Sequence, residues 1–197
     1  MEYESVNSYE YGCMKKKGGY LSYHAAFAFL GHYTQCFNWI YISYPKWFKP
    51  FEFMNVRYVR VSDKYREGIV KHETLNVYYT ELERTIIDSI DMQGLAGGYE
   101  ELYCCMEDIG DIDETKLLYY LSKYNKPILY HRTGYFLSLF REQMKLSDSF
   151  FEVCQEKKGK RKRYLTPYKN ECETYIPEWR LYVPKYLLAL ASPYRMW

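Results

Sequence analysis

From Thr80 to Met144 the apolar residues recur at three- and four-residue spacing, and this periodicity constrains the fold more than any other feature of the chain. Leu82, Ile86, Ile87 and Ile90 share one face. Tyr99, Leu102, Tyr103, Met106 and Ile109 form a second stripe, and Leu117, Leu118, Leu121 and Tyr124 a third. Leu129, Thr133, Phe136, Leu137, Phe140 and Met144 form a fourth. The breaks fall where chain stops are expected: Gly94, Gly97 and Gly98 after the first stripe, Asp113 as a cap, and Pro127 in a first helical turn. Thr80 and Glu83 have the spacing of a capping box. Residues 80–146 are therefore expected to form a packed segment of about four helices.

The flanks read differently. Residues 37–44 and 51–62 are rich in Val, Ile, Tyr, Phe and Trp, which suit strands, with a turn from Pro45 to Pro50 between them. Shorter strands are expected at 68–72 and 75–79. Ser22 can cap a short helix that stops at Gly31. Tyr164–Tyr168 and Tyr175–Val183 read as a strand pair around a basic turn, and Tyr186–Ala191 as a short helix. Residues 1–19 are polar and Tyr-rich, end in Lys15-Lys16-Lys17-Gly18-Gly19, and read as a flexible lead-in. The expected architecture is α+β. A single domain over 20–197 would have a β-rich N-terminal part, a central bundle of about four helices and a C-terminal strand pair.

Composition narrows the function. With 197 residues, 48% of them apolar, the chain can bury one ordinary core. Its 25 tyrosines fit half-buried strand positions and also suit a partner surface. A net charge of +2 gives no global attraction to nucleic acid. The six cysteines contain no CxxC pair and no Cys/His ligand spacing, so reduced thiols acting as small apolar fillers are expected. No apolar run of spanning length and no secretory leader is visible, which gives the expectation of a cytoplasmic protein with no membrane partner.

Catalytic patterns are missing. His24, His32, His72 and His131 are scattered and make no metal-ligand spacing. Asp108, Asp111, Asp113 and Glu114 form an acidic loop without the layout of an EF-hand, and capping is the simpler role. Asp88 and Asp91 share a helical face and could hold magnesium in a cryptic enzyme, but no lysine or second acidic pair completes such a site. Arg84 and Asp88, four apart, are expected to pair as ions. Gly97-Gly98 lacks a phosphate-loop pattern and reads as a tight turn into the next helix, with Glu100 and Glu101 at the positive end of its dipole. No cofactor, metal or catalytic residue is expected, and the chain reads as a non-enzyme. The strongest electrostatic feature is Lys157-Lys158-Gly159-Lys160-Arg161-Lys162-Arg163, with six cations in seven residues. It reads either as a solvated hairpin tip or as a contact for phosphate backbone or an acidic protein patch.

Three segments in fixed order carry a family likeness: Leu82-Glu83-Arg84-Thr85-Ile86-Ile87-Asp88, Gly97-Gly98-Tyr99-Glu100-Glu101 and Arg132-Thr133-Gly134-Tyr135-Phe136-Leu137. With Tyr20-Leu21-Ser22, Ala25-Ala26, Gly31 and Trp179-Arg180-Leu181, they make residues 20–183 resemble the effector domain of AbiEi-type antitoxins, from bacterial abortive-infection toxin–antitoxin systems. The resemblance implies neutralisation of a cognate nucleotidyltransferase-like toxin, directly or indirectly. It marks Glu83, Arg84, Asp88, Gly97, Gly98, Glu101, Arg132, Gly134 and Tyr135 as motif residues with structural roles. That family usually carries an N-terminal winged helix-turn-helix, and no segment of this sequence reads as one. Candidate contacts to toxin, DNA or RNA are Lys160, Arg161, Lys162 and Arg163. The alternative is a nucleic-acid-binding transcriptional regulator that uses the basic hairpin at 157–163.

Overall fold

The computed structural model describes residues 7–191. Two layers of structure meet along one polar seam. The N-terminal layer holds helix α1 (Ser8–Lys15), strand β1 (Tyr20–Leu21), helix α2 (His24–Leu30) and strands β2 (Trp39–Tyr44), β3 (Phe51–Phe53), β4 (Val56–Ser62), β5 (Ile69–Lys71) and β6 (Tyr78–Thr80). These strands form one mixed sheet in the order β3-β4-β2-β1-β6-β5. β2 runs parallel to β4 and β1 parallel to β6, while β1–β2, β3–β4 and β5–β6 are antiparallel. The long apolar run at 51–62 is not one strand. Met54 and Asn55 both adopt left-handed φ, 47° and 61°, and fold it into a two-residue hairpin that pairs Phe53 with Val56.

The helical layer follows the periodicity. It comprises α3 (Leu82–Asp91), a single 3-10 turn (Gln93–Ala96), α4 (Gly98–Met106), α5 (Glu114–Tyr124) and α6 (Pro127–Ser138). Helix α7 (Asp148–Lys157) adds a further element that the apolar stripes do not mark. Asp113 caps α5, its side chain accepting from the Thr115 and Lys116 amides, and Asn125 ends that helix at φ 47°. Three strands close the chain. β8 (Thr174–Ile176) and β9 (Leu181–Val183) form an antiparallel pair over the stretch 175–183 expected as one strand, and β7 (Arg163–Tyr164), from the other expected strand, lies parallel to β9 before α8 (Lys185–Leu190). The chain is thus α+β, with the β-rich N-terminal part, central helices and C-terminal strand pair expected.

Further details depart from expectation. Residues 8–15, expected within a flexible lead-in, are α1; Gly12 and Cys13 are buried against the sheet, and Tyr58 donates its hydroxyl to the Ser8 carbonyl at 2.9 Å. Residues 1–6 of that expected lead-in lie outside the described residues, as do 192–197. Ser22 does not cap α2; it is buried and shares a 2.8 Å hydrogen bond with Ser43, while Tyr23 turns the chain at φ 57°. Thr80 and Glu83 form no capping box. Thr80 is the last residue of β6 and bonds Thr85, and Glu83 accepts from the Asp113 amide at 3.4 Å. The helix starts one residue later than such a box requires: Glu81 is the N-cap of α3, and Thr80 pairs with Ile69 in the sheet.

Two apolar clusters hold these layers. One, including Ala25, Ala26, Ile40, Ile42 and Tyr58, lies under the sheet. The other runs through the helices to the C-terminal strands, from Phe27 and Ile86 to Phe136, Trp179 and Leu181. Helix α2 belongs to both, since Ala25 and Ala26 face the first and Phe27 the second. Each fully buried side chain of this size stabilises by roughly 1.5–3 kcal/mol over its exposed state.

Candidate functional site

The first motif segment sits along the seam between the layers. Arg84 and Asp88, one turn apart on α3, are both buried, with Arg84 Nε 3.4 Å from Asp88 Oδ2. Arg84 also donates to the Glu67 carbonyl and, at 3.3 Å, to the Tyr20 hydroxyl, and its guanidinium lies over the Tyr20 ring. Tyr20 in turn donates to Asp63 at 2.8 Å, and Tyr124 donates to Asp88. β1, α3 and α5 are thereby tied through one charge pair. Burial pushes the Asp88 carboxyl above the ordinary carboxylate range, against the pull of Arg84 and the Tyr124 hydroxyl. Asp91, its proposed partner in a magnesium site, instead binds Lys126 at 2.5 Å, with Lys64 at 3.8 Å. Both carboxylates already have cationic partners, which fits the ion-pair reading of this helix.

The other two motif segments serve close approach. Gly97 and Gly98 both adopt left-handed φ, 87° and 92°, and start α4. A Cβ on Gly97 would lie 2.8 Å from the Phe37 ring. Glu101, one turn into α4, reaches back to the loop after α2, accepting from the Thr34 and Gln35 amides at 3.1 Å each and the Thr34 hydroxyl at 2.7 Å. Gly134 lies under the Trp179 indole, where any Cβ would collide with the ring. Tyr135 is buried next to it, and burial pushes its hydroxyl up to about 12. Arg132 is half-buried and donates to the Tyr164 carbonyl at 3.4 Å.

The basic run is not a hairpin tip. Lys157 ends α7, residues 158–162 cross the start of α6, and Arg163 opens β7, whose partner is the parallel strand β9. Lys158 donates to the Glu178 carbonyl at 2.7 Å and lies over Trp179, and Gly159 packs beside Pro127 and His131. Lys160, Arg161 and Lys162 are exposed and make no ion pair among the described residues, while Arg163 is half-buried. Cross-strand register places Tyr164, Tyr182 and Tyr175 in one row on the outer face of the small sheet. Tyr164 and Tyr182 stack at 5.1 Å, Tyr182 and Tyr175 lie 4.8 Å apart, and Lys162 and Lys169 cover the two ends of the row. The two ammonium groups at the ends of the row are hydrogen-bond donors for anions. Sequence reading found the charge but not this ladder, which depends on pairing between distant strands.

One further cluster escaped the sequence. His24 Nε2, a Glu101 oxygen and Cys105 Sγ lie within 4.8 Å of one another, all buried. His24 is far from α4 in the chain, so no spacing rule relates them. The remaining acidic groups are engaged singly: Asp108 by His32, Asp111 by Lys145 and Glu114 by Ser147. All six cysteines are free thiols, with Cys36 exposed. No helix among the described residues is long and apolar enough to cross a membrane. Compared with known proteins, the chain matches no family model, no curated protein and no solved structure.

Proposed function

We propose that the chain is a non-enzymatic, antitoxin-like protein that neutralises a nucleotidyltransferase-type toxin of a bacterial abortive-infection system. The observation that carries this reading is the placement of the motif residues. Those that resemble the AbiEi-type effector domain make up its frame: Arg84 and Asp88 join the layers, Gly97 and Glu101 fasten a loop, and Gly134 seats Trp179. In this reading the motifs preserve a scaffold, and recognition falls to the surface that the scaffold presents. Lys160, Arg161 and Lys162 are the assigned contacts, with Arg163 fixing their base in β7. The test replaces Lys160, Arg161 and Lys162 by Ser and measures growth when the neighbouring nucleotidyltransferase-like gene is induced. Loss of rescue with the fold intact is expected; full rescue by the triple variant overturns the assignment of this surface.

A second reading, a nucleic-acid-binding regulator, is favoured by the tyrosine row with Lys162 and Lys169 at its ends. From Lys157 to Lys169 the chain has seven cations and no acidic residue. Binding to phosphates would weaken steeply with salt, with a slope of about 0.9 per duplex contact on logarithmic axes. A flat salt response removes that reading and leaves neutralisation through protein contact.

A further inference from the structure

The start of α2 and one face of α4 bring three kinds of metal-ligand atom together in the interior. His24, Glu101 and Cys105 are 4%, 1% and 0% exposed. Glu101 and Cys105 are four apart on α4 and so share a face. His24 Nε2 lies 3.1 Å from Glu101 Oε1, and Cys105 Sγ lies 3.5 Å from the same oxygen. The Gln35 backbone carbonyl also accepts from the imidazole. A neutral imidazole has one N–H to give, yet this ring faces two acceptors. A cation between Nε2 and Oε1 removes the conflict: one ring nitrogen donates to a main-chain carbonyl while the other coordinates, the usual orientation of a ligating histidine.

Charge points the same way. Glu101 accepts hydrogen bonds from Thr34 and Gln35 but has no Lys or Arg ion-pair partner among the described residues, and pairs with His24. A divalent cation with one thiolate and one carboxylate is neutral overall, which lowers the cost of burying all three. Nitrogen, oxygen and sulfur donors in one set suit zinc better than magnesium or calcium. A cavity of about 180 Å³, bordered by Gln35 and Cys36, adjoins His24, and a water would complete a four-ligand zinc shell.

We propose that His24, Glu101 and Cys105 form a structural zinc site that clamps the loop at 31–38 onto α2 and α4. The site is independent of the neutralisation reading, since it concerns the scaffold and not the basic face. It is tested with purified, chelator-treated protein titrated with Co²⁺. One equivalent should bind, giving tetrahedral d–d bands and a thiolate-to-cobalt charge-transfer band that Zn²⁺ displaces. Cys105→Ser should lose the charge-transfer band, and Cys36→Ser should keep it. Because Cys105→Ser can disturb the fold, the melting temperature of the unaltered chain gives a second readout, which should rise with Zn²⁺ and not with Mg²⁺. Absence of both the cobalt spectrum and the Zn²⁺-dependent rise overturns the site in favour of a plain hydrogen-bonded His–Glu pair. A charge-transfer band that survives Cys105→Ser overturns it as well.

Discussion

Gly134 illustrates how one residue type in a motif is dictated by a neighbour far along the chain. The Trp179 indole lies where its Cβ would be, so the glycine is a seat for a ring that is 1% exposed. Gly134→Ala should cost about 1–3 kcal/mol through overpacking, measured by urea denaturation; an unchanged midpoint would show that Trp179 can move aside freely. His131, three residues earlier, gives a pH prediction. Its Nδ1–H donates to the Trp179 carbonyl at 2.6 Å, and burial, with Lys158, Arg163 and Arg180 nearby, holds its pKa below the ordinary value. The unfolded chain therefore takes up a proton first, near pH ~6.5. The stability this histidine contributes is complete above that pH and is lost as pH falls through it towards the folded value. Melting temperatures from pH 8 to 5 should show the fall, and His131→Gln should flatten it; an identical fall in the variant would assign the effect to other groups. At this scale the Arg84–Asp88 pair was legible, because four-residue spacing on a helix forces proximity. Its burial was not, because the sheet that covers it is assembled from strands up to 64 residues away, as the Arg84–Tyr20 bond shows.

Periodicity located α3 to α6 because each buries a continuous stripe and begins or ends at a residue with a backbone reason to be there. Other elements lacked such signals. Helix α7 places only Phe150, Phe151 and Cys154 inward, too few for a stripe to stand out. Helix α1 is weakly amphipathic, and its polar, Tyr-rich sequence resembles a linker; it is held by Gly12 against β2 and β4, by Cys13 at the Tyr78 carbonyl of β6 and by the Tyr11 ring stacked on Phe53 at 3.7 Å. Removing residues 1–19 should therefore lower the melting temperature and raise binding of a hydrophobic dye, since the covered sheet face becomes wet. A truncated chain that melts like the full one would return this segment to a lead-in role. The basic run shows the reverse error: its charge was plain in the sequence, but the parallel partner of β7 could not be seen, so a hairpin was expected where a crossover lies.

Across the whole molecule, two apolar clusters share α2 and are cross-tied by the polar seam of Tyr20, Arg84, Asp88 and Tyr124. The sequence disclosed the α+β class and the helical half of this plan, because local periodicity encodes them. The order of the mixed sheet, the tyrosine ladder and the His24–Glu101–Cys105 cluster depend on contacts between distant segments and left no local mark. On the proposed reading, the residues at 82–88, 97–101 and 132–137 build the scaffold, and recognition falls to the surface. The most direct measurement is growth rescue: a candidate nucleotidyltransferase-type toxin, taken from the genes nearest this one, is induced in bacteria with and without the intact chain. Recovery of growth with the chain present is the result expected of an antitoxin. Continued arrest, with the chain soluble and folded in the same cells, would contradict it.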